Sequence, residues 1–121
     1  MTFSVATINF TYTSVTYDVQ HNEFILGDDG YIHFVAPTGF VIYEFTVDIY
    51  KYDNLLFYNS MTRSDETQIL AVDLDMNQTE YGHVVYHKTE MGLNELLVFN
   101  NYNGNCMLRY IKLTLKKLSN S

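Results

Sequence analysis

A single cysteine, Cys106, excludes a disulfide within the chain. Beside Met107 and Leu108 it reads as a small buried hydrophobe rather than a nucleophile. Tryptophan is absent, which removes the broadest flat face for stacking on a sugar ring, and proline occurs only at Pro37. Cations are scarce: 7 Lys+Arg stand against 14 Asp+Glu, for a net charge of −7. Affinity for nucleic acid begins with neutralising phosphates, so no nucleic-acid partner is expected, and an anionic membrane surface is disfavoured for the same reason. The one basic cluster, Arg109, Lys112, Lys116 and Lys117, reads as the solvent face of a last strand. No apolar run approaches the ~18–20 residues of a spanning helix. The opening Met1-Thr2-Phe3-Ser4-Val5 lacks both the basic and the continuous apolar segment of a secretion signal. No G-x-S-x-G, H-E-x-x-H or glycine-rich phosphate loop occurs, so the chain is not expected to be an enzyme.

Abundance points the other way. The 11 Tyr and 8 Phe, with 47% hydrophobic residues overall, suit pleated, half-buried surfaces. At 121 residues one domain is expected, with enough apolar surface for a core that needs no metal or disulfide. The clearest segment is 32–50. Two apolar runs, Ile32–Ala36 and Phe40–Tyr50, flank Pro37-Thr38-Gly39, a set suited to a tight turn. From Val41 onward Val41, Tyr43, Phe45, Val47 and Ile49 alternate with Glu44, Thr46 and Asp48. That period of two predicts a long hairpin with the odd positions inward.

The rest of the chain follows the same logic. Ile8, Phe10 and Tyr12 alternate on even positions, then Val15, Tyr17 and Val19 on odd ones, a slip that marks a bulge, a corner or a strand end. Phe24-Ile25-Leu26 is a short strand closed by the turn signal Gly27-Asp28-Asp29-Gly30. Further strands are expected at 55–58, 69–76, 83–87, 95–99 and 106–116, with an exposed loop over 59–68 and a loop over 100–105. No segment has a helical period. The expected fold is all-β: one two-sheet antiparallel β-sandwich of eight to ten strands, jelly-roll or immunoglobulin-like.

The pattern Phe34-x-Ala36-Pro37-x-Gly39-Phe40-x-Ile42-x-x-Phe45 resembles the strand pair of small jelly-roll and immunoglobulin-like modules in bacterial surface proteins and tailed-phage virion proteins. The closing alternation Arg109–Leu115 is similar to theirs. With no signal and no catalytic set, the resemblance implies a structural or interaction protein. The first expectation is a small virion accessory component, decorating a capsid or associated with a tail, assembled in host cytoplasm. It would bind a protein lattice through its loops or form a homo-oligomer. The alternative is a carbohydrate-binding module, extracellular or at a cell surface. A nucleic-acid mimic follows only from the charge, and apolar strand positions interrupt the acids.

Candidate residues are those that suit either surface. Tyr52, Tyr58, Tyr81 and Tyr102 fall at strand ends or in loops, with Asn54, Asn101, Asn103 and Asn105 beside them. Aromatic faces and amides stack on and hydrogen-bond to sugars, and tyrosine is also enriched at protein interfaces. No cofactor is expected. The nearest metal motif is Asp73, Asp75 and Asn77, whose alternating oxygens resemble the opening of a calcium loop. Gln78 and Val84 stand where the turn glycine and the bidentate glutamate belong, so the motif is incomplete. His83 and His87 lie roughly 13 Å apart if both are on one strand, too far to share an ion.

Overall fold

Alternation becomes nine strands in the computed structural model, which describes residues 2–4, 8–50, 54–73, 82–101 and 103–118. They are β1 (Thr2–Ser4), β2 (Asn9–Asp18), β3 (Glu23–Val35), β4 (Phe40–Tyr50), β5 (Asn54–Tyr58), β6 (Gln68–Asp73), β7 (His83–Leu93), β8 (Glu95–Asn100) and β9 (Cys106–Lys117). The ladder runs β6-β5-β8-β3-β9-β4-β7, with β1 added to β9 and β2 to β3, and every pairing is antiparallel.

β3 is the line along which this ladder folds into two layers. Glu23–Leu26 pair with β9, whereas Tyr31–Val35 pair with β8. Gly27-Asp28-Asp29-Gly30 between them is therefore not a turn that ends a strand. It is an irregularity inside one 13-residue strand, opposite the bulge at Ser14 in β2. The glycines are there for close approach. A Cβ at Gly30 would stand 2.6 Å from the Ser14 carbonyl oxygen, closer than real Cβ contacts come. The phase slip expected in β2 is this bulge, with Ser14 at φ 56°.

Segment 32–50 is corrected in two ways. Pro37–Phe40 does turn, with Phe40 N–H donating to the Pro37 carbonyl at 3.0 Å and Gly39 at φ 88°. The flanking strands nevertheless do not pair with each other: β3 bonds to β2, β8 and β9, and β4 to β7 and β9. The turn carries the chain from one layer to the other, so it is an arch rather than a hairpin. The inward set also changes phase. Ile42, Phe45, Val47 and Ile49 enter the core because the register shifts between Ile42 and Glu44, which takes Tyr43 off the inward face.

The core lies between the layers. Phe24, Leu26, Ile32 and Phe34 of β3 meet Phe45 and Ile49 of β4, Leu55 and Phe57 of β5, Leu96 and Val98 of β8, and Leu108, Leu113 and Leu115 of β9. Phe45 stacks on Phe57 across the layers, with ring centroids 5.1 Å apart. Burial of each such side chain contributes about 1.5–3 kcal/mol. Cys106 is 0% exposed in this core, and burial pushes its thiol up to about 12. Since the thiolate is the reactive species, native protein should react with a disulfide reagent at pH 8 at least ~100-fold more slowly than denatured protein. Fast labelling of folded protein would show that β9 does not pack inward at this point.

Candidate functional site

The same pleat that sends Ile32, Phe34, Leu96 and Val98 inward sends their neighbours to the outer face of the β3–β8–β5 layer. Leu56, Tyr58, Leu97 and Phe99 form a second, smaller cluster there, with Tyr31 packed against it. Ladder register assembles it: Tyr31 lies opposite Phe99, Phe99 opposite Leu56, and Leu97 opposite Tyr58. An apolar row therefore crosses three strands on a surface that would otherwise be wet.

One side of the row is closed by the connection 59–67. Asn59 N–H bonds to the Thr67 carbonyl at 2.9 Å, Thr67 N–H to Ser64, and Met61 N–H to the Glu95 carboxylate at 3.2 Å. These bonds hold Arg63, at φ 54°, with its guanidinium carbon 4.5 Å from the centre of the Phe99 ring. Cation and ring attract electrostatically at that distance. At the other end, Asn101 N–H donates to the Asn54 carbonyl at 2.9 Å, tying the exit of β8 to the start of β5. The result is an open groove of about 530 Å³ lined by Asp29, Tyr31, Leu56, Tyr58, Arg63, Phe99 and Asn101. Leu56, Tyr58 and Phe99 are buried in its floor, with Arg63 over the Phe99 ring, so half-buried Tyr31 is the ring it leaves partly open; its rim offers a carboxylate, a guanidinium and an amide. Such a surface can hold a flat ring by its face while hydrogen-bonding the polar groups around its edge.

Of the residues singled out in the sequence, Tyr58 and Asn101 line this groove, and Asn54 braces it through its backbone. Asn103 and Asn105 are exposed on the next connection and do not line it. Tyr52, Tyr81 and Tyr102 lie outside the described residues, as do Asp75 and Asn77 of the calcium motif. Asp73 closes β6 opposite Asn54. Among the described residues no group of three or more His, Cys, Asp or Glu converges as metal ligands.

Sequence reasoning missed Arg63, Tyr31, Phe99 and Asp29. Phe99 does alternate with Leu97, which marks one strand face, but nothing local says that this face meets Tyr31 and Leu56. Asn100, expected to open the loop 100–105, belongs instead to β8. It is 0% exposed, and its Nδ2 donates to the carbonyls of Leu26, Gly27 and Gly104 at 3.1, 2.9 and 2.8 Å. That amide fastens the connection 101–105 to the fold line of β3.

No protein-family model matches the chain, and no curated protein matches it in sequence. Solved structures do match its fold. A family 29 carbohydrate-binding module superposes with a TM-score of 0.61 at 10% identity, over 88% of this chain and 77% of that one. A variant of such a module complexed with cellulohexaose gives 0.61 at 10% identity, covering 88% and 79%. The low-affinity xylan-binding module of family 86 from Roseburia intestinalis gives 0.57 at 7% identity, covering 96% and 95%. The all-β sandwich is thus a fold found in carbohydrate-binding modules.

Proposed function

We propose that this protein is a non-catalytic carbohydrate-binding module that takes a polysaccharide chain in the groove across β3, β8 and β5. The observation that carries it is the groove itself: half-buried Tyr31, backed by buried Tyr58 and Phe99, beneath a rim of exposed Asp29, Arg63 and Asn101. The pyranose ring of a sugar has an apolar C–H face and an equator of hydroxyls. Its face packs on the half-buried Tyr31 ring, while hydroxyls donate to the Asp29 carboxylate and accept from Arg63 and the Asn101 amide. The fold supports the reading, since structures that share it include modules whose names cite cellulohexaose and xylan. Such a module meets its polysaccharide outside the cell or at a surface. A virion role, a protein lattice and a homo-oligomer have no counterpart in these likenesses, and the glycan alternative replaces them.

Neutral chains are the first ligands to test. In affinity electrophoresis and calorimetry, soluble cellulose derivatives, glucomannan and xylan should retard the protein. Tyr31→Ala and Arg63→Ala should each weaken the best ligand about tenfold, which corresponds to ~1.4 kcal/mol. Arg63 is exposed and Tyr31 half-buried, so the melting temperature should stay close to that of the parent. Unchanged affinity in both variants would remove the groove from the account. Failure of every polysaccharide at millimolar sugar would remove the function.

A further inference from the structure

The chain carries twice as many acids as bases, yet its bases are not scattered. Lys88 of β7 and Lys112, Lys116 and Lys117 of β9 are exposed on or beside one sheet, the layer opposite the groove described above. Three of them surround a second hollow. Phe40, Tyr43, Lys88, Thr89, Glu90, Leu115, Lys116 and Lys117 line a space of about 690 Å³, within the size range of ligand sites.

Backbone geometry makes this hollow. Lys117 lies opposite Phe40 and Lys116 opposite Val41, so the end of β9 brings two ammonium groups beside the start of β4. The register shift between Ile42 and Glu44 turns Tyr43 out of the core and toward the lysines. Thr89 holds that distortion open. Its hydroxyl lies 3.3 Å from the Ile42 carbonyl and 3.2 Å from that of Tyr43. Lys88 stands opposite Glu44, but the Glu44 carboxylate accepts the Tyr86 hydroxyl and forms no ion pair with it. Among the described residues, none of Lys88, Lys116 and Lys117 has a carboxylate within 4.0 Å, the Glu90 of the same lining included. Three ammonium groups against the Glu90 carboxylate of the lining, with Glu44 beside Lys88, still leave an excess of positive charge here in a protein of net charge −7.

We propose that this hollow is a second, independent binding site, selective for a polysaccharide that bears carboxylate or sulfate groups. Charge complementarity sets the sign of the ligand, and Phe40 and Tyr43 set its kind, because they put two half-buried aromatic rings into the same lining as the ammonium groups. An acidic polysaccharide carries its charges spaced ring by ring. A nucleic acid would press a much denser line of phosphates against an acidic protein, with only three cations to release its counterions. The site lies on the opposite layer from the neutral-glycan groove, so either can fail without the other.

Calorimetry with polygalacturonate and with dextran sulfate at low ionic strength tests it, the two polymers separating carboxylate from sulfate as the preferred anion. At least one should bind, with affinity falling as salt rises, because the attraction between exposed charges is screened. The triple variant Lys88→Ala/Lys116→Ala/Lys117→Ala should lose at least about tenfold in affinity, and Tyr43→Ala severalfold. Lys116→Glu, a single exposed change, should act in the same direction, so the test does not depend on the triple variant. Tyr31→Ala should leave binding of the acidic polymer unchanged while weakening the neutral one. The proposal is overturned if neither polymer binds, if the triple variant and Lys116→Glu bind as the parent does, or if a single-stranded oligonucleotide binds more tightly than both polymers.

Discussion

Phe45→Ala is expected to destabilise the sandwich by about 3–5 kcal/mol and to lower its melting temperature by roughly 10–25 °C. Phe45 is 2% exposed and its ring lies on Phe57 at an interplanar angle of 19°. Those two rings sit on β4 and β5, which share no ladder, so the contact is made across the layers. His87 covers another side of the same ring at 5.5 Å. Removing the ring leaves a cavity between two layers whose backbones are held by ladder hydrogen bonds and cannot close on it. Phe45→Asp adds a carboxylate with no partner in that space and should prevent folding altogether. The comparison variant is Thr46→Ala, the next residue on the opposite face, which should cost under about 1 kcal/mol. If chemical denaturation gave Phe45→Ala the same loss as Thr46→Ala, the two layers would not meet through this pair.

Legibility of the fold stops where pairing becomes non-local. A short apolar run locates β5, and alternation locates the inward Ile111, Leu113 and Leu115 of β9 and the slip in β2, because each is a property of neighbouring residues. Turn chemistry misleads where it is read as topology. Pro37-Thr38-Gly39 does reverse the chain, but which strands then pair depends on β7, β8 and β9, which follow much later. Gly27 and Gly30 look like turn glycines, yet their absent side chains serve the approach of the Ser14 carbonyl. The strict odd-position pattern of β4 conceals the shift at Tyr43, since tyrosine suits either face. The groove is legible only in fragments for the same reason. Tyr58 and Asn101 stand out as an aromatic and an amide at strand ends, whereas Tyr31, Phe99 and Arg63 become one surface only through the β3–β8 and β8–β5 registers.

Asn100 combines stability with the groove, and Asn100→Leu is expected to cost at least about 3 kcal/mol. Its Nδ2 has two hydrogens for three carbonyls, those of Leu26, Gly27 and Gly104, while its Oδ1 has no partner among the described residues. The amide is thus kept for its donors, and three acceptors around one atom require that atom to be nitrogen. Leucine matches the shape but takes the donor from the buried Leu26 carbonyl and from the part-buried carbonyls of Gly27 and Gly104, at about 1–3 kcal/mol for each left unsatisfied. Because the next residue, Asn101, lies on the groove rim, the same change should also weaken the proposed glycan binding, even well below the melting temperature. Asn100→Asp separates packing from hydrogen bonding. A buried carboxylate facing carbonyls is disfavoured when charged, so its folded pKa would rise above the unfolded value. Protons then bind the native state more tightly. Stability of that variant should fall as pH rises through the folded pKa and recover on acidification, when the protonated acid donates one hydrogen. Denaturant titrations of parent, Asn100→Leu and Asn100→Asp between pH 5 and pH 8 measure both effects. A leucine variant within about 1 kcal/mol of the parent, or an aspartate variant whose stability relative to the parent does not change with pH, would mean that the amide does not fasten the connection to β3.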